Sequence, residues 1–131
     1  MDRIHTDAAP RPAGHYSQGV AHGGLIYVAG QLPLDPATGA VVGAGIEEQT
    51  ERTLRNVAAV LGAAGSGLEH LLSVTVYITD RALWTGCNAA FERVLGEHRP
   101  ARAIVPVPEL RHGCLVEIQG IAAVAPPVAG R

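Results

Sequence analysis

Two charged residues stand inside apolar strands of this sequence: Arg102 in ARAIVPV and Glu117 in LVEIQ. A charge in a packed strand is costly unless it is paired or hydrogen-bonded. One reading makes them an ion pair, between strands or across a subunit interface, since structural ion pairs also occupy such places. The other makes them a site. A guanidinium holds a substrate carboxylate through two parallel hydrogen bonds, and a glutamate orients or deprotonates a water.

The remaining residue types narrow the chemistry. All ten basic residues are arginine, so a Schiff-base lysine, a P-loop lysine and a lysine general base are excluded from the chain. No two of the histidines (His5, His15, His22, His70, His98, His112) have helix-face ligand spacing, and His112 with Cys114 is too small a set, so no metal is expected. The serines are Ser17, Ser66 and Ser73, and none lies in a nucleophile elbow. The cysteines, Cys87 and Cys114, form no CxxC motif and read as small buried hydrophobes of a reduced, cytoplasmic protein. Gly23-Gly24 and Gly43-Ala44-Gly45 match no dinucleotide or phosphate loop. Asn88 is either a polar contact or an exposed helix residue. Trp84 and Phe91 read as core.

The elements that must position these groups follow from periodicity. Residues 1–14 are polar and proline-bearing and read as an extended arm. SQGVAHGGLIYVAG reads as two strands joined by a hairpin at Gly23-Gly24, because primed turns need positive φ. A Gly- and Pro-rich loop follows. Ile46, Thr50, Leu54, Val57, Leu61 and Ala64 step by four, four, three, four and three, a helix with one apolar side, ended by Gly65. Val74, Val76 and Ile78 alternate with polar residues, a strand. Asp80 reads as the cap of a second helix over 81–95, with Trp84, Cys87, Phe91, Val94 and Leu95 as its apolar stripe. Strands over 101–107 and 115–124 finish the fold. Pro106 marks an edge and Gly120 a bulge, and 126–131 read as a flexible tail.

The order β-β-α-β-α-β-β suggests an α/β (α+β) fold, one domain over 1–131 with both helices on one face of a mixed sheet. At 131 residues there is one core's worth of chain. Charged residues make up only 17% of it, against about 25% in an ordinary soluble domain. A small chain with so few charges is expected to cover its second sheet face with copies of itself. A net charge of −2 argues against a nucleic-acid binder held by phosphates. No apolar window approaches the ~18 residues of a membrane span, and the leading segment lacks the apolar core of a signal peptide.

The residues also resemble a known family. PARAIVPVPELRHGCLVEI (100–118) is similar to the signature of the RidA (YjgF) family. GHYSQGV (14–20) resembles its Gly-Pro-Tyr-Ser-Gln opening, and VAGQLPLDPATG (28–39) its Ser-Gly-Gln loop. QTERTLRNVAAVLGAAG (49–65), VTVYITD (74–80) and NAAF (88–91) resemble its first helix, third strand and second helix. The likeness runs in order over about residues 9–124.

The resemblance implies a chorismate-mutase-like fold and a homotrimer with clefts between subunits. It implies hydrolysis of reactive 2-imino acids and their enamine tautomers, of the 2-iminobutyrate and 2-iminopropionate type, to 2-keto acids and ammonia, without a cofactor. Arg102 would clamp the carboxylate and Glu117 would hold the water. Tyr16 and Asn88 match positions lining the cleft, and the backbones of Gly30 and Ile104 would add hydrogen bonds. Four features depart from the pattern. Ala29 replaces the common serine before Gly-Gln, His15 the proline before Tyr16, and Ile104 a frequent cysteine, and the 91–100 segment is short. Ala29, His15 and the short segment motivate one alternative, a related enzyme acting on a different imine or enamine in a dedicated pathway; a metabolite-binding protein is the other. Ribonuclease activity, also described in the family, fits the net charge poorly.

Overall fold

Alternation decides the central strands. In the computed structural model, which describes residues 1–126, Val74, Val76 and Ile78 of β4 (Leu71–Ile78) are buried, as are Val116, Ile118 and Ala122 of β6 (Val116–Ala123). Thr75, Tyr77, Glu117, Gln119 and Ile121 point the other way.

These strands sit in a six-stranded mixed sheet of order β1-β2-β3-β6-β4-β5. β1 (Asp2–Ile4), β2 (Gly19–His22) and β3 (Leu25–Gln31) run antiparallel to one another. β6 inserts antiparallel between β3 and β4, and β5 (Ala101–Pro106) lies parallel to β4 at the free edge. The β2–β3 hairpin turns at Gly23 and Gly24, whose φ values of 61° and 81° suit glycine. Parallel β4 and β5 need a crossover, and α2 (Trp84–Leu95) supplies it.

Both helices cover one face. α1 (Ile46–Ala63) starts with Glu47 and Glu48 at its positive end. It buries Leu54, Val57, Val60 and Leu61, and α2 buries Cys87, Ala90 and Phe91. Each large apolar side chain so placed contributes about 1.5–3 kcal/mol. The expected fold class is therefore observed.

Several details differ from the sequence reading. The arm is not merely extended: Asp2, Arg3 and Ile4 pair with Ala21, Val20 and Gly19, adding a strand. Buried Gln18 stitches the rest of the arm down. It accepts from Thr6 N–H (2.7 Å) and donates to the carbonyls of Thr6 (3.0 Å) and Pro10 (2.9 Å). The second helix begins at Trp84 after a 3₁₀ turn over Arg81–Leu83, and Asp80 caps that turn by accepting from Ala82 N–H. Trp84 is not core but 46% exposed. Gly120 is not a bulge: it pairs in register with Val28 and Val74, and the irregularities lie in the partner strands, between Val28 and Gln31 and between Leu71 and Ser73. Pro106 lies at the edge, as expected. Of the expected tail over 126–131, all but Pro126 lies outside the described residues.

Among the described residues, no helix or further sheet covers the second sheet face. Tyr27, Ser73, Thr75, Tyr77, Gln119 and Ile121 share it with Glu117, the one charge contributed to that face by β3, β4 and β6. Among the described residues, no helix is long and apolar enough to cross a membrane.

Candidate active site

Arg102 and Glu117 lie on opposite faces of the sheet. Arg102 pairs with buried Val74, so its side chain rises on the helix-covered face. Glu117 pairs with Tyr77, between inward-pointing Val116 and Ile118, so its carboxylate stands on the uncovered face. Among the described residues neither forms an ion pair. The ion-pair reading thus fails among the described residues.

A single face of α2 cradles Arg102. Trp84, Asn88, Phe91 and Leu95 recur at helical spacing and look toward β5. The guanidinium carbon sits 5.0 Å from the Phe91 ring centroid and 5.6 Å from that of Trp84, within cation–π range. Its Nη2 donates to Asn88 Oδ1 at 2.9 Å, and Asn88 Nδ2 in turn donates to Glu92 Oε1 at 3.1 Å. Asn88 is therefore a polar contact rather than an idle surface residue. It aligns the guanidinium, whose other N–H groups have no partner among the described residues. A cavity of about 420 Å³ opens here, lined among others by Asn88, Phe91, Leu95, Arg99 and Arg102.

Ile104 lies two residues further along the edge strand and is half-buried. Val107 N–H donates inward to Ile78 O at 2.8 Å. By strand alternation the backbone groups of Arg102 and Ile104 point outward, to the free edge.

The second group of candidates gathers around Glu117. Gly30 packs directly on its carboxylate: a Cβ added at Gly30 would stand 3.0 Å from Glu117 Cδ and closer still to Oε2. Glu117 is half-buried, and its loss of solvent raises the carboxyl above its ordinary pKa, which makes the carboxylate a better proton acceptor. Tyr16 is half-exposed, and its hydroxyl accepts from Ala13 N–H at 3.1 Å. Ala29 N–H donates to Gln18 O at 2.9 Å. Tyr16 and Gly30 line a smaller cavity of about 40 Å³ with Leu32, Leu34, Arg111 and His112.

The chain thus brings together Arg102, Asn88 and Ile104 at one edge, and Tyr16, Ala29, Gly30 and Glu117 elsewhere. It does not join the two groups. Among the described residues, no cluster of three His, Cys, Asp or Glu could hold a metal.

Sequence reasoning missed the amides that fix the loops around Glu117. Asn56 Nδ2 donates to the carbonyls of Leu32 and Leu34, both at 2.9 Å, and its Oδ1 accepts from Arg52 Nη2 at 2.8 Å. Gln49 Nε2 donates to Gly43 O (3.0 Å), while its Oε1 accepts from Leu115 N–H (2.8 Å), two residues before Glu117. The signal was available. Gln49, Thr53 and Asn56 occupy helical spacing beside the apolar stripe of α1, and all are buried.

Comparison with known proteins places this geometry. A RutC family protein of Pyrococcus abyssi is 42% identical over 119 residues, covering 91% of this chain and 94% of that one. The crystal structure of RidA from an Antarctic Psychrobacter superposes with a TM-score of 0.91 at 36% identity, covering 95% of this chain and all of that one (100%). That of E. coli TdcF with bound serine superposes at 0.90 and 33% identity, with coverage of 95% and 100%. The model of the family described as Endoribonuclease L-PSP matches residues 6–124. On these matches the chain belongs to that family, the RidA (YjgF) family.

Proposed function

We propose that the protein hydrolyses 2-imino acids and their enamine tautomers, of the 2-iminobutyrate and 2-iminopropionate type, to 2-keto acids and ammonia. The observation that carries this reading is the guanidinium of Arg102: held by an amide and two aromatic rings, it has no carboxylate partner among the described residues. Such a group is a receptor for a small carboxylate. Family membership supports imine and enamine deamination as the reaction class. The serine bound by the TdcF relative is an α-amino acid, of the same carboxylate-bearing kind.

Because Arg102 and Glu117 face opposite ways, the reading requires two copies. The β5 edge of one subunit docks against the uncovered sheet face of its neighbour in a homotrimer. The low charge of the chain and the uncharged surroundings of Glu117 suit such burial.

The chemistry needs few groups. Arg102 holds the carboxylate and places C2 for attack. Glu117 of the neighbouring copy orients a water and accepts one of its protons as the oxygen bonds to C2. The C=N electron pair moves onto nitrogen. The proton passes from Glu117 to that nitrogen; as the C–N bond breaks, Glu117 takes the remaining hydroxyl proton, the C=O bond forms, and that proton leaves with the released ammonia as ammonium. A protonated imine is electrophilic enough for this without a covalent nucleophile. The outward backbone N–H of Ile104, with that of Gly30, is suited to hydrogen bonds with the substrate. Asn88 positions the clamp, and Tyr16 and Ala29 shape the wall.

An amino-acid oxidase that generates 2-iminobutyrate, with semicarbazide trapping what remains, tests this reading. Wild type shortens the imine's lifetime and Arg102→Ala does not. Equal lifetimes with and without folded wild-type protein would overturn it. The family's ribonuclease description finds no support in a chain of net charge −2, since phosphate binding draws on basic surface.

A further inference from the structure

The small cavity beside Gly30 has a feature that the proposed reaction does not use. Arg11, Arg111 and His112 line it together with Tyr16 and Gly30. Among the described residues none of the three forms an ion pair, and all are exposed. Two arginines and a histidine therefore line one cavity, with no acidic partner among the described residues.

Their backbone is fixed. His112 has φ 59° and ψ 18°, the left-handed region that a residue with a Cβ rarely enters, and Gly113 follows at φ 69°. The turn is closed by Cys114 N–H donating to Arg111 O at 3.1 Å and is anchored by Leu115 N–H on Gln49. Arg11 sits on the arm segment that Gln18 holds at Pro10. These side chains thus leave from tethered backbone rather than from free loops.

The cavity, about 40 Å³, accepts roughly three water-sized groups. That suits a carboxylate and no aromatic ring. Gly30 forms its wall and also touches the Glu117 carboxylate, so the cavity adjoins the place where water would attack.

We infer that Arg11, Arg111 and His112 receive a second carboxylate, so that the preferred substrates are 2-imino dicarboxylic acids. Arg102 takes the carboxylate beside the imine carbon, and the cavity takes the one at the end of the side chain. This deepens the imine-hydrolase reading and rests on it for the reaction, but not for the binding preference.

Two measurements separate the two claims. The first compares kcat/KM for 2-iminosuccinate and 2-iminoglutarate, made by amino-acid oxidases, with that for 2-iminobutyrate. Wild type favours a dicarboxylate, and Arg111→Ala and Arg11→Ala each lower the dicarboxylate-to-monocarboxylate ratio by about 10- to 100-fold, as loss of a charge-assisted hydrogen bond does. The second measures binding of the keto acids oxaloacetate and 2-oxoglutarate against 2-oxobutyrate by calorimetry, which needs no turnover. Dicarboxylate preference in binding, lost in Arg111→Ala but without imine turnover, would overturn the reaction and keep the inference. A wild-type protein that favours 2-iminobutyrate and 2-oxobutyrate, or ratios unmoved by Arg111→Ala and Arg11→Ala, would overturn the inference and leave the reaction standing.

Discussion

Replacing Gly30 with alanine should cripple turnover while leaving the fold intact. The new Cβ would come within 3.0 Å of Glu117 Cδ and nearer to Oε2. An ordinary contact between such atoms is about 3.5–4.0 Å. The carboxylate must therefore move by about 1 Å. It can do so cheaply, because it is the end of a flexible side chain and because Gly30 has no positive φ that alanine would strain. Stability should change by less than about 1 kcal/mol, which for a domain of this size is a few degrees in Tm. The reaction is less tolerant. A 1 Å misplacement of a reacting group costs on the order of 10²-fold, about 2.7 kcal/mol of barrier. The assay is imine consumption under semicarbazide trapping at several substrate concentrations, with thermal unfolding of the same preparations. The predicted result is a kcat lowered about 100-fold at a near-native Tm. Wild-type kcat in Gly30→Ala would refute the placement of Glu117 at the reacting water. Activity lost only in step with folded protein would refute it equally.

Two further outcomes follow from the same geometry. Asn56→Leu leaves the part-buried carbonyls of Leu32 and Leu34 without their donor, a loss below the full cost of about 1–3 kcal/mol for each buried unsatisfied group. Urea unfolding should show a loss of about 2–4 kcal/mol, read as a lower midpoint at unchanged slope, and a loss below about 0.5 kcal/mol would contradict it. Glu117 has its pKa raised by burial. The acid limb of kcat/KM should therefore lie above the ordinary carboxylate value of about 4.3, with activity falling as pH drops through the raised pKa. The sign for stability is opposite to that of a salt-bridged acid. The fold favours the neutral form, so the cost is absent below the ordinary pKa and complete above the raised one. Tm plotted against pH should lose that decline in Glu117→Gln, and a decline that survives the substitution would assign it to another group.

Much of this arrangement was legible before any coordinates. The period-2 runs at 74–78 and 116–122 and the one-sided stripe of α1 specify strands and helix by hydrophobic phase alone. What escaped were features decided by partners. β1 is three residues long, too short for a periodic signal, and exists because β2 offers it an edge. Trp84 has the spacing of a core residue, yet its ring faces Arg102, because α2 uses a second face against the end of β5. Gly120 suggests an irregularity, but an absent side chain there admits Leu71, whose Cδ2 would lie 3.2 Å from an added Cβ.

The candidate site divides in the same way. Glu117 is visibly out of phase with Val116 and Ile118, and Arg102 in phase with Ile104. Their opposition across the sheet depends on register, with Arg102 beside Val74 and Glu117 beside Tyr77, which no local pattern encodes. What the buried amides of Gln18, Gln49 and Asn56 bind was hidden for another reason. Their partners are backbone groups of distant loops, and a sequence does not show which carbonyls lack a donor.

The central claim is that one reaction centre draws Arg102 from one copy and Glu117 from another. Subunit mixing tests it most directly. Arg102→Ala and Glu117→Gln, each inactive alone, are unfolded together, refolded at equal amounts and assayed for imine hydrolysis. With random assembly about a quarter of the sites regain both residues, whatever the ring size. The account predicts recovery of about 25% of wild-type activity in the mixture and none in either variant alone. A mixture that forms oligomers and stays as inactive as its components would contradict it, and so would a wild-type protein that is active as a monomer.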